Sequence, residues 1–283
     1  MSKPIKIIEC PRDAMQGYSK IFSTEAKIEY LNNLLDVGFD VLDCASFVSP
    51  KAIPQMADSH NVLAGLKDSS TELLSIIANT RGAENAVKES RIEFLGYPFS
   101  ISETFQKRNT NKSIAESLEV LQDIQKITLD AEKQLVVYLS MGFGNPYGEE
   151  WNLDLVLDWV AKLSDLGVQV ISLSDTIGSA STSDIETIFK TVIPSYKQIE
   201  FGAHLHCKPY EWKEKLEAAY AGGCNRFDGA IRGFGGCPMA EDDLTGNMQT
   251  ESIVSLYKDK LQPNFSFSAF DNSLRNADRL FGS

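Results

Sequence analysis

Eight short runs rich in valine, isoleucine and leucine recur along the chain, each followed by a segment with the rhythm of an amphipathic helix. They are "IKIIEC" (5–10), "FDVLDCA" (39–45), "ELLSIIA" (72–78), "RIEFLGY" (91–97), "QLVVYLS" (134–140), "VQVISLS" (168–174), "EFGAHLH" (200–206) and "CNRFDGA" (224–230). Parallel neighbours must be joined by a crossover, and a helix is the usual one, so this alternation predicts parallel βα units. In "TEAKIEYLNNLLDVG", for example, Ile28, Leu31, Leu34 and Leu35 keep to one helical face and Gly38 suits the C-cap. Eight units predict a (β/α)8 TIM barrel. A doubly wound open sheet is the alternative, but "ECPRDAMQG" after the first run lacks its glycine-rich phosphate fingerprint. No linker, low-complexity tract or short repeat divides the chain, so residues 1–283 are expected to form a single catalytic barrel domain, with a short C-terminal extension after about residue 259.

Composition narrows the partners. With 27 Lys and Arg against 39 Asp and Glu the net charge is −12, which disfavours nucleic acid or an anionic membrane surface. The opening "MSKPIKIIEC" has no signal-peptide pattern and no long apolar stretch follows, so a cytoplasmic location is expected. Five cysteines without a C-x-x-C pair point neither to a disulfide framework nor to a thiolate zinc site.

Chemistry in such a barrel sits at the C-terminal ends of the strands. Polar residues gather there: Glu9, Arg12 and Asp13 after the first run, Asp43 and Ser46 in the second, Ser174, Asp175 and Thr176 in the sixth, His204 and His206 in the seventh. Side chains alternate along a strand, so His204 and His206 face the same way, toward the barrel mouth. Two imidazoles projected together can bind one metal; a pair of rim histidines satisfied by hydrogen bonds is the blander alternative. With Asp13 nearby, a mixed nitrogen and oxygen set suits Mg²⁺ or Mn²⁺, with Zn²⁺ or Fe²⁺ also eligible. Arg12 would bring a permanent positive charge to a developing enolate. After the eighth run, "RGFGGCPMAEDDLTGN" surrounds Cys237 with glycines and ends in Asn247, the pattern of a mobile loop that can deliver a thiol; alone, it also fits a glycine-rich turn beside an inert cysteine.

The stretches "ECPRDAMQG", "SFVSPKAIPQMAD", "TRGAENA", "ETFQKRNTNKSIAES", "GFGNPYGEEW", "SLSDTIGSAS", "AHLH" and "GFGGCPMAEDDLTGNMQTE" together resemble the 3-hydroxy-3-methylglutaryl-CoA lyase family, metal-dependent aldolase-type barrels related to isopropylmalate and citramalate synthases. The resemblance implies divalent-metal-dependent retro-Claisen cleavage of 3-hydroxy-3-methylglutaryl-CoA to acetyl-CoA and acetoacetate, a step of leucine degradation and ketone-body formation. It implies Asp13, His204, His206 and Asn247 as metal ligands, Arg12 as stabiliser of the enolate, Asp43 and His204 as further catalytic groups, and Cys237 in proton transfer. It also implies an acyl-CoA partner and a homodimer. His204, His206 and a metal-bound water are all eligible to take the hydroxyl proton, and Lys20, Lys51 and Lys107 are candidate phosphate contacts.

Three stretches depart from the family pattern. Asp43 stands where a glutamate is usual, Cys207, Lys208 and Pro209 replace a small polar turn after the second histidine, and "MAEDDLTGN" is longer and more acidic through Glu241, Asp242 and Asp243. Lys208 would place an ammonium beside the proposed metal unless a carboxylate such as Asp175 intervenes. Two alternatives therefore stand beside the lyase: a diverged paralogue acting on another 3-hydroxy acyl-CoA or a 2-oxo acid, and a catalytically silent ligand-binding barrel.

Overall fold

The computed structural model describes residues 4–236 and 245–282. Eight strands, β1 (Lys6–Glu9), β2 (Val41–Ser46), β3 (Glu72–Ile76), β4 (Ile92–Ser100), β5 (Gln134–Ser140), β6 (Val170–Asp175), β7 (Glu200–Cys207) and β8 (Arg226–Gly229), pair in chain order, all parallel. β8 returns to β1 in the register Lys6↔Arg226 to Glu9↔Gly229, which closes the barrel. Alternation sorts the side chains: Ile8, Val41, Leu74, Phe94, Val136 and Val170 form one small cluster, as inward residues of a closed barrel do. Their chain neighbours Ile7, Leu42, Leu73, Leu95, Leu135 and Ile171 join the larger core under the helices.

Every expected run is a strand, with shifted ends. β8 starts at Arg226 because Cys224 N–H closes the preceding helix turn on the Ala219 carbonyl. β2 starts at Val41 because the Asp40 carboxylate accepts the Ile7 N–H. Two of the elements beyond the eight units shape the site. Pro11 opens a short helix, Pro11–Gln16, directly after β1, so Arg12 and Asp13 stand on a helical turn rather than at the strand end itself. A further strand, β9 (Gly246–Asn247), pairs antiparallel with β7 and sets Asn247 opposite His206.

The C-terminal segment covers the chain's own first unit. Helix Phe267–Phe281 lies against helix Thr24–Leu35, and its last residue, Phe281, packs edge-on or tilted against the rings of Tyr18, Phe22, Tyr30 and Phe234, with centroids 4.6–5.9 Å away. Phe281 is buried. Phe281→Ala is expected to lower stability by about 3–5 kcal/mol, the usual cost of such a cavity. Urea unfolding measures it, and a loss under about 1 kcal/mol would remove this helix from the folded core. Among the described residues, no helix is long and apolar enough to cross a membrane.

Candidate active site

At the C-terminal end of the barrel a cavity of about 290 Å³ is lined by Arg12, Asp13, Tyr138, Ser174, His204 and His206, among others. Helix Pro11–Gln16 hangs Arg12 over the rim, where its guanidinium grips Asp43 of β2: Nε donates to Oδ1 and Oδ2 at 3.2 and 3.0 Å, and Nη2 to Oδ2 at 2.5 Å. Nη1 donates to Asp13 Oδ1 at 3.0 Å and Gln16 Oε1 at 2.9 Å. One hydrogen on Nη2 is left without a partner among the described residues. The other Asp13 oxygen accepts Asn247 Nδ2 at 2.6 Å.

His204 and His206 turn inward together, as alternation along β7 requires, and their Nε2 atoms stand 3.3 Å apart. His204 Nδ1 bonds to Asp228 Oδ2 at 3.1 Å, and the same oxygen accepts Ser172 Oγ at 3.1 Å. His206 Nδ1 is buried and, among the described residues, makes no close hydrogen bond.

Burial opposes every charge here, and partners decide the outcome. It works against the Arg12 cation, but Asp43 and Asp13 outweigh it and hold the guanidinium charged beyond its ordinary range. It pushes Asp13 up, yet Arg12, then His204, the Asn247 bond and His206, bring that carboxyl below its usual value. Asp43 is raised by burial and drawn back by Arg12, ending at about 6. Burial also lowers His204, but the Asp228 bond and charge, and then Asp13, leave it above the ordinary imidazole. His206, with burial and then His204 against it, falls to about 4 and is neutral at physiological pH.

These donors fit a divalent cation. With Nδ1 of His204 committed to a carboxylate, as in metal-bound histidines generally, the facing Nε2 atoms are the free coordinating nitrogens of the pair. Asn247 uses Nδ2 on Asp13 and on the Phe234 carbonyl at 2.9 Å, which leaves its amide oxygen as a donor to a cation. Among the described residues, no group of three His, Cys, Asp or Glu side chains is placed to hold a metal ion. The fit therefore rests on the two imidazoles and on the joined acid and amide, a nitrogen and oxygen set without thiolate.

The structure brings together Arg12, Asp13, Asp43, His204, His206 and Asn247. Cys237 lies outside the described residues, as do Glu241, Asp242 and Asp243. Lys20, Lys51 and Lys107 are exposed and absent from the cavity wall; Lys107 pairs with Glu103 at 2.9 Å. Lys208 is exposed as well. Asp175 does not screen it: facing outward from β6, Asp175 binds the buried Lys215 Nζ at 2.8 Å, and that ammonium also donates to the His206 carbonyl at 3.2 Å. Asp228 and Lys215 went unnoticed in the sequence. Alternation along β8 was the signal for Asp228, whereas nothing local marks Lys215.

Glu9 faces away from the cavity and ties the base of the following segment, accepting the Ile231 N–H at 3.0 Å and the Thr250 hydroxyl. Burial pushes its carboxyl up to about 8, against the lowering from those two bonds. The folded state then holds a proton that the unfolded state has released between about pH 4.5 and 8, so this group makes stability fall as pH rises through that window. Glu9→Gln is expected to flatten the fall. Urea titrations at pH 5 and pH 8 test it, an unchanged difference between the two being the adverse result.

The sequence pattern of the HMGL-like family matches residues 5–274. A hydroxymethylglutaryl-CoA lyase of Bacillus subtilis (strain 168) is 32% identical over 245 residues, covering 86% of this chain and 81% of that protein. The crystal structure of a Bacillus subtilis HMG-CoA lyase superposes with a TM-score of 0.92 at 29% identity, covering 100% of this chain and 96% of that one. An HMG-CoA lyase from Acinetobacter baumannii, in complex with coenzyme A and 3-methylmalate, gives a TM-score of 0.89 at 29% identity, covering 99% of this chain and 92% of that one.

Proposed function

The chain belongs to the HMGL-like family, and from that membership we infer that it is a hydroxymethylglutaryl-CoA lyase, a carbon–carbon lyase that cleaves 3-hydroxy-3-methylglutaryl-CoA to acetyl-CoA and acetoacetate. The named relatives favour this over a diverged paralogue or a silent barrel. The observation that supports it best is the meeting of the His204 and His206 Nε2 atoms with Arg12 and Asp13 in one cavity, Asp13 being bonded in turn to Asn247.

Asp13, His204, His206 and Asn247 would hold the divalent cation, Mg²⁺ or Mn²⁺. When bound, it supplies a Lewis acid that lowers the pKa of the substrate's tertiary hydroxyl. Loss of that hydroxyl proton lets the C–O bond become the ketone of acetoacetate while the adjacent carbon–carbon bond breaks. Its electron pair passes to the thioester as an enolate. Arg12, anchored on Asp43 and Asp13, presents fixed positive charge to the enolate oxygen and needs no reorganisation as that charge develops. Asp228 holds the His204 ring in place through Nδ1. The enolate carbon then takes a proton, and the Cys237 thiol is the donor in this reading.

The same reading carries a homodimer, a cytoplasmic location, no nucleic-acid or membrane partner, a single catalytic domain, and a place in leucine degradation and ketone-body formation. The purified protein should release acetoacetate from 3-hydroxy-3-methylglutaryl-CoA only when Mg²⁺ or Mn²⁺ is added. Absence of product with either cation, at a protein concentration that binds the metal, would send the search to other hydroxy acyl thioesters.

A further inference from the structure

Arg226 heads the large side chains that are fully buried, at 1% exposure, and it projects from β8 into the barrel below the site. Its stem lies across Gly202, its register partner on β7, where a Cβ would stand 3.0 Å from Arg226 Cδ and 3.3 Å from Nε. The missing side chain at 202 makes the room that the arginine fills. Nη1 reaches Glu200 Oε2 at 3.3 Å, but that carboxylate is shared with Lys6 Nζ at 2.5 Å. One carboxylate thus serves two cations, and neither reaches it with all of its donors. Asp40 and Glu72, nearer the N-terminal pole, also lie within the field of Arg226.

Nε and Nη2 of Arg226 are buried and, among the described residues, have no hydrogen-bond partner. Two residues further along the same strand, and so on the same inward face, stands Asp228. Its Oδ2 is engaged by His204 and Ser172, while its Oδ1 is likewise buried and unpartnered among the described residues. Unmet donors of a cation and an unmet acceptor of an anion therefore occupy successive layers of one interior. A buried ion is stable only beside its opposite. From Lys6 at the N-terminal pole, through Glu200 and Arg226, to Asp228 beneath the imidazoles, the charges alternate in sign.

We propose that Arg226 is a positioning residue, the interior counter-ion that keeps Asp228 turned to His204 and thereby keeps His204 Nε2 presented to the site. The inference rests on the metal-site reading given above, and its test separates the two. Arg226→Met keeps the bulk and removes the charge; Arg226→Lys keeps the charge; Gly202→Ala leaves Arg226 in the sequence but drives its stem aside. Three readouts apply to each folded variant: Mn²⁺ affinity by calorimetry, kcat against KM for the acyl-CoA, and the ¹⁵N signal of His204 in metal-free protein.

The expected result for Arg226→Met is about a tenfold loss in Mn²⁺ affinity and in kcat, the scale of outer-shell changes at metal sites, with KM unchanged. Its His204 should lose the single Nδ1-protonated tautomer. Arg226→Lys should recover most of the loss, and Gly202→Ala should move the same readouts in the same direction. If Arg226→Met does not fold, the other two variants decide. An unchanged His204 signal and Mn²⁺ affinity within twofold of the parent would overturn the inference, as would Arg226→Lys behaving like Arg226→Met. Parent protein that binds no Mn²⁺ would instead overturn the metal site, and the His204 signal in metal-free protein would still judge Arg226.

Discussion

His206→Ala is expected to lose divalent-cation binding and turnover together, with kcat down by more than the 10²-fold that marks the upper end of outer-shell changes. The reason is geometric. His206 contributes one of two Nε2 atoms that face each other across 3.3 Å, and burial together with His204 keeps its ring neutral, with its pKa at about 4, so its lone pair is available to a cation across the physiological range. Removing it leaves His204, Asp13 and Asn247, and no histidine elsewhere can substitute, because His60, the third in the chain, is exposed and pairs with Glu89 at 2.6 Å. Calorimetry with Mn²⁺ and an acetoacetate assay read the two losses separately. Cation affinity equal to that of the parent protein would show that the metal lies elsewhere. Turnover surviving without the cation would end the Lewis-acid reading altogether.

How much of this was legible beforehand depends on how local each signal is. The strands were readable because each is a short apolar run that must be buried on both faces, and His204 and His206 because a period of two fixes their common direction without reference to the rest of the fold. The same period makes Asp228 readable in principle, as the inward neighbour of Arg226 on β8. It also places Ser172 and Ser174 inside and turns Asp175 outward, where Lys215 meets it from helix Trp212–Ala221. Which helical residue would reach Asp175 depends on how that helix docks, and the pairing could not be read from either segment alone. Asn247 entered only through family resemblance, since its place opposite His206 depends on a two-residue strand formed across a long separation in sequence. The exposed Lys208 removes the repulsion that its position in sequence suggested, and the cation that lies behind His206, Lys215, is already paired.

Arg12→Met should separate catalysis from folding. Arg12 touches both carboxylates of the rim, with two of its nitrogens on Asp43 and a third on Asp13. Loss of a preorganised positive donor at a developing oxyanion costs about 10²- to 10³-fold in kcat. Stability should fall as well, by about 3–5 kcal/mol, because Asp43 is left buried without its counter-charge. Arg12→Lys should repair little of either loss, since a single ammonium cannot reproduce the fork that spans Asp43 while also reaching Asp13 and Gln16. The double variant Arg12→Met, Asp43→Asn removes the stranded carboxylate together with the cation. It should regain most of the stability and none of the activity, because the enolate still meets no fixed positive charge. Denaturant unfolding and acetoacetate formation give the two readings for each protein. A double variant that recovered turnover along with stability would make Arg12 a structural partner of Asp43 alone, and the stabilisation of the enolate would have to come from another group in the cavity.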